Sequence, residues 1–338
     1  MIGVGVIGCG YWGPNVIRNF AAREDAQLRT ICDLDPARLE TLTRRHPTLR
    51  AVTDHRELLD DPRIDAVAIC TPVHTHYELA MAALDAGKHV MVEKPLTDRV
   101  ETARRLVAEA EARGLVLLVD HTFVYAGAVR KIRSLIDSGE LGDLLYVDSV
   151  RINLGLFQSD VSVVWDLAAH DVSIMAHLID RDPISVSAIG RTHYGELETQ
   201  AYVTIDYGEP LIGHAHVNWL APLKIRSTVI GGSKRMVVYD DLAPSEKIRV
   251  YDKGVTLSSP PAARSQALVD YRMGDMFAPH LDRTEPLARV CACFLDAVAN
   301  GVELPTDGRA GLAVVRVLEA AQESIRKEGE RIPLEAAP

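Results

Sequence analysis

The strongest constraint on the fold is a glycine-rich segment, Gly8-Cys9-Gly10-Tyr11-Trp12-Gly13, which directly follows the apolar run Val4–Ile7. A G-x-G-x-x-G spacing between a strand and a helix serves a specific geometry. The first glycine permits a tight turn, the second lets a pyrophosphate approach the backbone, and the third lets the helix pack closely on the sheet. The spacing alone is weak, so its context decides whether it indicates a dinucleotide site.

That context is an alternation of short apolar runs with helical patterns through the first third of the chain. Continuous apolar runs are typical of strands buried on both faces, and strands separated by helices predict right-handed parallel crossovers. The runs are Val4–Ile7, Leu28–Cys32, Ala66–Thr71, His89–Val92 and Leu115–Val119. The sequence therefore predicts an α/β protein in which residues 1–121 form a Rossmann domain, a doubly wound parallel sheet that binds a dinucleotide.

An acidic residue at the end of the second run indicates which dinucleotide. Asp33 lies twenty residues beyond Gly13, where a carboxylate accepts hydrogen bonds from the adenosine ribose and repels a 2′-phosphate. Leu34 follows it, rather than an arginine that would favour a phosphate. NAD is therefore predicted over NADP, the alternative being a solvated strand end. Tyr11 and Trp12 either line the cofactor or substrate or pack the loop.

The pattern changes after His121. A helix containing Val129 and Ile132 is followed by strands in which apolar and polar residues alternate, as in 201–207. Such alternation predicts a mainly antiparallel sheet with one covered and one open face. Residues 122–338 are therefore predicted to form a second, α+β domain. Within it, Gly231-Gly232 indicates a hairpin, 253–283 is predicted as a loop, and a helix is expected to stop at Gly301.

Composition argues against several classes of protein. A net charge of -10 over 338 residues disfavours binding to nucleic acid or to an anionic membrane. No apolar stretch reaches the roughly 18 residues of a membrane span, and a signal peptide is not evident, so a cytoplasmic protein is expected. The five cysteines lack C-x-x-C spacing and are expected to be free thiols. His214 and His216 lack a nearby third ligand, so no metal site is predicted.

Lysine at the end of a buried strand is the first candidate for chemistry. Lys94 follows His89–Val92 and Glu93, which places it at the carboxyl edge where open α/β sheets bind ligands. Its ammonium could donate a hydrogen bond to a reacting oxygen. Asp166 and His170 lie four apart in a predicted helix, so one helical face carries both. The two side chains could then act near a shared target, the alternative being an aspartate N-cap and a surface histidine.

Several motifs together resemble the glucose-fructose oxidoreductase, inositol dehydrogenase and MocA (Gfo/Idh/MocA) family. They are the glycine fingerprint, Thr71-Pro72 with a nearby histidine, Glu93-Lys94-Pro95, Asp166-x-x-x-His170 and Thr306-Asp307-Gly308. Their order and spacing are specific together, and they cover nearly the whole chain. The resemblance implies NAD-dependent oxidoreduction, a cis peptide before Pro95, and a homodimer or homotetramer assembled through the open sheet face.

The resemblance also implies roles for individual residues. Lys94, Asp166 and His170 would be catalytic, with His170 as base and Asp166 orienting the substrate or pairing with Lys94. The residues expected to bind cofactor are Gly8, Gly10, Tyr11, Trp12, Gly13, Asp33, Thr71, Pro72, His76, Glu93 and Lys94. Those expected to contact substrate are Lys94, His121, Arg151, Asp166 and His170. His74 and His76 either contact the ribose or the substrate, or lie in the loop without ligand contact.

The chain departs from the family pattern in three places. Val163-Val164-Trp165 precedes Asp166 where a glycine-rich approach is common, which predicts a bulkier pocket wall. Val73 replaces the asparagine that often follows Thr-Pro. Asp120-His121 stands where many members have asparagine and arginine around an aromatic residue, although Phe123 is retained.

The implied function is hydride transfer between a sugar carbon and nicotinamide. The segments GYWGPNVIRNF and NLGLFQSDVSVVWDLAAHD resemble members that oxidise the 3-position of nucleotide sugars, which points to a UDP-N-acetylhexosamine or its uronate. A dehydrogenase of free cyclitols or monosaccharides and a 3-ketosugar reductase are alternatives within the enzyme class. A non-catalytic NAD-binding regulator is the alternative from another class.

Overall fold

The computed structural model describes residues 1–155, 157–158, 160–257 and 269–335. The chain divides into two compact units, the first formed by Met1–Ala126 and Thr284–Glu319, and the second by Gly127–Arg283 and Ala320–Pro338. The sequence pattern predicts a single division of the chain, between residues 121 and 122. In the structure the chain instead returns to the first unit after residue 283.

The first unit contains a parallel sheet, as predicted. Its strands are β1 (Ile2–Ile7), β2 (Ala26–Cys32), β3 (Arg50–Val52), β4 (Ala66–Ile69), β5 (His89–Glu93) and β6 (Leu117–Asp120). In the described residues their order is β3-β2-β1-β4-β5-β6. The strand order reverses between β1 and β4, and such a switch point opens a crevice at the carboxyl ends of the strands.

Helices occur throughout the described chain, before, between and after the strands. Those of the described chain are α1 (Gly13–Ala21), α2 (Pro36–Arg45), α3 (His55–Leu59), α4 (His76–Asp85), α5 (Val100–Arg113), α6 (Gly127–Asp137), α7 (Ala169–Leu178), α8 (Pro286–Asn300) and α9 (Gly308–Arg326). Their ends follow ordinary capping rules. Asp35 caps α2 by accepting a hydrogen bond from the Ala37 amide, and α8 ends at Gly301 with a φ of 69°, as the sequence predicts. No described helix is long and apolar enough to cross a membrane.

Helix α8 explains why the chain returns to the first unit. Val290 and Phe294 are buried in the same apolar cluster as Ile17 and Phe20 of α1. The rings of Phe20 and Phe294 meet edge to face, with centroids 6.4 Å apart. The amphipathic pattern of α8 shows that one of its sides is covered, but it does not identify the surface that covers it.

The second unit contains a larger sheet. Its strands are β7 (Leu144–Leu154), β8 (Ser185–Arg191), β9 (Gln200–Asp206), β10 (Ile212–Asn218), β11 (Leu220–Gly232), β12 (Met236–Asp240), β13 (Ile248–Leu257), β14 (Val269–Phe277) and β15 (Ile332–Pro333). Within the described chain their order is β14-β13-β12-β11-β7-β10-β9-β8-β15. Only the β7–β10 pair is parallel in this part of the chain, so the predicted mainly antiparallel sheet is confirmed.

The prediction of a loop over 253–283 is wrong for much of that tract. The end of β13 and the whole of β14 lie in it, paired antiparallel, while 258–268 lies outside the described residues. Strand β14 is at the edge of the sheet, where Tyr271 and Met273 are exposed. A strand with little burial shows no clear alternation of apolar and polar residues, which is why the sequence pattern does not reveal it.

Candidate active site

The glycine-rich turn after β1 has the geometry of a phosphate cradle. Gly8 has a φ of 95°, which L side chains rarely adopt, and a Cβ at Gly13 would lie 2.0 Å from the carbonyl oxygen of Gly8. A Cβ at Gly10 would instead meet only the Arg38 side chain, at 3.5 Å. The first and third glycines therefore serve turn and packing, while the second leaves backbone open to a ligand, as NAD binding requires.

Helix α1 begins immediately after this turn. No side chain caps it, its first turn contains no acidic residue, and Trp12 stands at its N-cap position. Such an end offers backbone N–H groups and the positive end of the helix dipole to an anion. The donors present here therefore suit the pyrophosphate of NAD.

The carboxylate of Asp33 is held on both sides. One oxygen accepts a hydrogen bond from the Cys9 amide at 2.7 Å, and the other accepts one from the Asp35 amide at 2.9 Å. A guanidinium nitrogen of Arg38 lies 3.6 Å from Asp33. Arg38 was not among the predicted site residues, although a basic residue in the first turn of the helix after Asp33 is a usable signal. These contacts fix the carboxylate beside the glycine-rich turn.

Lys94 lies at the carboxyl end of β5, as predicted, and is half-buried. The peptide bond between Lys94 and Pro95 is cis, as the resemblance implies. His76 is 1% exposed, and its ring nitrogens lie 2.8 Å from the Thr71 carbonyl oxygen and 2.9 Å from that of Pro95. Burial lowers the pKa of His76, so a neutral ring links the Thr71 and Pro95 turns through its contacts with backbone.

The two aromatic residues of the fingerprint differ sharply in environment. Tyr11 is 88% exposed, whereas Trp12 is half-buried and its indole donates a hydrogen bond of 2.9 Å to Asp120. Thr122 donates a second bond, of 2.7 Å, to the other oxygen of Asp120. Because β4 and β5 separate β1 from β6, the Trp12 loop reaches across the ends of two strands. The sequence analysis gave no role to Asp120.

His121 follows Asp120 and is buried, with 1% exposure. Neither ring nitrogen has a hydrogen-bond partner among the residues that the structure describes. Burial, and to a smaller extent the charge of Lys94, lowers the pKa of His121 to about 3. The imidazole is therefore neutral at neutral pH. Its expected contact with substrate stays a prediction.

In the second unit, Asp166 lies on a π-helical turn, Val164–Ala168, which leads directly into α7. The buried indole of Trp219 donates a hydrogen bond of 3.2 Å to its carboxylate. The ring of Phe157 packs against that of Trp219, with centroids 5.6 Å apart. The predicted helix is present, but the π turn was not foreseen. Such turns are frequent at functional sites.

His170 lies in the first turn of α7, beside a buried ion pair. Asp171 accepts hydrogen bonds of 3.0 to 3.1 Å from Arg151 and one of 2.8 Å from Ser149. Both charged side chains are at least 95% buried. The guanidinium of Arg151, expected at the substrate, thus anchors the helix that carries His170. Asp171 was not among the predicted site residues, although a carboxylate next to a candidate base is a usable signal.

The paired histidines of β10 have an aromatic neighbour. His216 stacks on Tyr202 with ring centroids 4.4 Å apart, and burial lowers the pKa of His216. In the described part of the chain, no group of three or more His, Cys, Asp or Glu side chains could hold a metal ion. All five cysteines are free.

With this geometry in hand, comparison with known proteins identifies the family. Residues 2–121 match the model of an oxidoreductase family with an NAD-binding Rossmann fold, and residues 129–238 match the C-terminal domain of the same group. The chain belongs to the Gfo/Idh/MocA oxidoreductase family. The glycine-rich turn of this Gfo/Idh/MocA protein therefore lies in an NAD-binding Rossmann domain.

Relatives within the Gfo/Idh/MocA family have different substrates. The UDP-N-acetylglucosamine 3-dehydrogenase of Acidithiobacillus ferrooxidans is 28% identical over 94% of each chain. The scyllo-inositol 2-dehydrogenase (NADP(+)) IolW of Bacillus subtilis is also 28% identical, over 88% of this chain and 87% of that one. The structure of GenD2 from gentamicin A biosynthesis in complex with NAD is 26% identical, with a TM-score of 0.83 over 99% of this chain and 97% of GenD2.

Proposed function

We propose that this oxidoreductase is an NAD-dependent dehydrogenase of a nucleotide sugar, acting at the 3-hydroxyl of a UDP-N-acetylhexosamine or its uronate. The observation that carries the chemistry is the position of Lys94, a cationic donor at the ligand-binding edge of the sheet. The choice of substrate is supported by the 3-dehydrogenase from Acidithiobacillus ferrooxidans, because the two chains match over 94% of each length.

Three side chains divide the work of oxidation in this proposal. Lys94 donates a hydrogen bond to the reacting oxygen and stabilises its alkoxide character. His170 accepts the hydroxyl proton as general base, while Asp166, held by Trp219, orients the sugar. Bound NAD supplies the hydride acceptor.

In this proposal, residues of the first unit bind the cofactor. The backbone at Gly10 and the start of α1 hold the pyrophosphate, and Asp33 holds the adenosine ribose. The Thr71-Pro72 turn and Glu93 lie at the ends of the neighbouring strands β4 and β5. The carboxylate of Asp33 repels a 2′-phosphate, so we propose NAD rather than NADP as the working cofactor.

A dehydrogenase of free cyclitols is the second candidate. It is favoured by the scyllo-inositol 2-dehydrogenase IolW, which matches this chain as well as the nucleotide-sugar enzyme does in identity.

We also propose a homodimer or homotetramer. It is supported by exposed large side chains on the sheet of the second unit, among them Ile189, Tyr202 and Ile212.

A substrate panel tests the proposed function. Absorbance of reduced nicotinamide is followed with NAD and, in turn, UDP-N-acetylglucosamine, its uronate, free N-acetylglucosamine and scyllo-inositol. Turnover restricted to the UDP-sugars is expected. Equal rates on free N-acetylglucosamine would reject the nucleotide-sugar assignment, and turnover of inositol alone would transfer it to the second candidate.

Variants connect turnover to the proposed residues. Lys94→Ala and His170→Ala are each expected to lower kcat by about a hundredfold or more, since each removes a group that acts in the transition state. Binding of NAD, measured by fluorescence titration, should change little. Two variants at other positions serve as matched controls: Lys327→Ala for the lysine and His55→Ala for the histidine. Near-normal turnover in both active-site variants would contradict the assignment.

A further inference from the structure

Two carboxyl groups meet at the carboxyl edge of the parallel sheet. Glu93 ends β5 and Asp120 ends β6, and the two residues are directly opposite each other in the strand register. Their side chains are hydrogen-bonded to each other. An ionised carboxylate only accepts hydrogen bonds, so a bond between two carboxyl groups requires that one of them holds a proton.

The other contacts identify which residue holds that proton. Asp120 accepts bonds from the Trp12 indole at 2.9 Å and from the Thr122 hydroxyl at 2.7 Å. Two further donors favour the ionised form of Asp120. By contrast, one oxygen of Glu93 is buried without a hydrogen-bond partner among the described residues. Glu93 is therefore the donor and Asp120 the anion.

The electrostatics agree with this arrangement. Burial and the charge of Asp120 raise the pKa of Glu93 well above its ordinary value. Burial also raises the pKa of Asp120, which the bonds from Thr122, Trp12 and Glu93 oppose. The surrounding groups with raised or lowered pKa values are all neutral at neutral pH: His121, Cys70, Cys291 and Tyr125. The cation that influences both carboxyl groups is Lys94.

We propose that Glu93 and Asp120 share one proton and act as a single anionic unit, fixed by Trp12 and Thr122, that holds the ammonium of the neighbouring Lys94 in place. Both carboxyl residues are then positioning residues, since they act through Lys94. The role of Lys94 in turnover rests on the proposed function, whereas the shared proton does not.

If Glu93 carries the proton and Asp120 the charge, replacing each by its amide should have different effects on activity. Glu93→Gln keeps a donor toward Asp120 and keeps the single negative charge. Asp120→Asn removes the group that carries the charge and places an amide among the donors of Trp12 and Thr122. The double variant Glu93→Gln/Asp120→Asn has no anion at all. Asp120→Asn should therefore lower kcat at least tenfold more than Glu93→Gln does.

Infrared difference spectroscopy of the full-length protein at neutral pH tests the shared proton without turnover. The expected result is a carboxylic-acid C=O absorption in the wild type that Glu93→Gln removes. Asp85→Asn, which changes an exposed carboxylate of α4, should leave that absorption in place. Loss of a carboxylate absorption instead of an acid absorption in Glu93→Gln would overturn the proposal.

The pH dependence of kcat tests the positioning role. In the double variant the acid limb that reports the shared proton should disappear, because neither carboxyl group remains. Trp12→Phe, which keeps an aromatic ring, should move the acid limb to higher pH, since Asp120 loses a donor. Lower activity with the acid limb unmoved in both variants would show a merely structural role. Absence of wild-type turnover would reject the proposed function but not the shared proton, because the infrared experiment tests the shared proton independently of turnover.

Discussion

Asp33 and Arg38 form a pair of opposite charges beside the glycine-rich turn. The carboxylate is held by two backbone amides, and the guanidinium lies 3.6 Å away on α2. With Asp33 present, the cation is balanced and a 2′-phosphate is repelled. Without it, Arg38 is free to pair with a phosphate. On the proposed function, this one carboxylate would set both the affinity for NAD and the exclusion of NADP.

Asp33→Ser should raise the KM for NAD about tenfold or more, which is the loss expected for a charged hydrogen-bond acceptor, and should lower the KM for NADP. The ratio of kcat/KM for the two cofactors measures the change. Asp33→Ser/Arg38→Ala should lose the gain toward NADP, and Asp25→Ser, in an exposed ion pair, is the control. An unchanged ratio in Asp33→Ser would show that another residue reads the ribose.

The positions of some candidate site residues could be predicted from the sequence alone, because neighbouring residues identify them. Gly8, Asp33 and Lys94 are marked by the strand that precedes each of them. Asp120 could not be recognised in this way, because its partner Trp12 is 108 residues distant in the chain. A hydrogen bond of that separation depends on the order of strands in the sheet, which periodicity does not reveal.

Helix α7 is positioned by a buried ion pair as well as by apolar packing. Arg151, on β7, and Asp171, beside His170, are almost fully buried, so each compensates the charge of the other. The helical pattern predicted that Asp166 and His170 lie on one element. It did not predict the π turn or the strand that holds the element, because both depend on tertiary contacts.

Asp171→Asn should lower the free energy of unfolding by about 3 to 5 kcal/mol, because it leaves a buried guanidinium uncompensated. Arg151→Met/Asp171→Leu should cost less, since it removes both charges. Urea denaturation gives the stability, and kcat reports any displacement of His170. Asp241→Asn, in a less buried ion pair with Arg226, is the matched control. A stability loss in the double variant as large as in Asp171→Asn would contradict the argument.

In the molecule as a whole, the first unit is built from two separate segments of the chain. The alternation of strands and helices correctly predicted the parallel sheet of the first unit and the mainly antiparallel sheet of the second. It placed α8 with the second sheet, because α8 follows those strands in sequence. Its buried side instead packs with α1, through Phe294 and Phe20. Apolar spacing specifies that a surface is covered but leaves open which surface covers it.

Phe294→Ala in the full-length protein is expected to loosen α1 selectively. A large-to-small change at this fully buried ring should cost about 3 to 5 kcal/mol, because it leaves a cavity against Phe20. Since α1 follows the glycine-rich turn, its amides should exchange with deuterium faster, and NAD should restore part of their protection by binding the folded form. Ile205→Ala, in the buried face of β9, creates a cavity in the second unit and is the control. If both variants accelerated exchange of α1 equally, packing by α8 would not be what holds this helix in place.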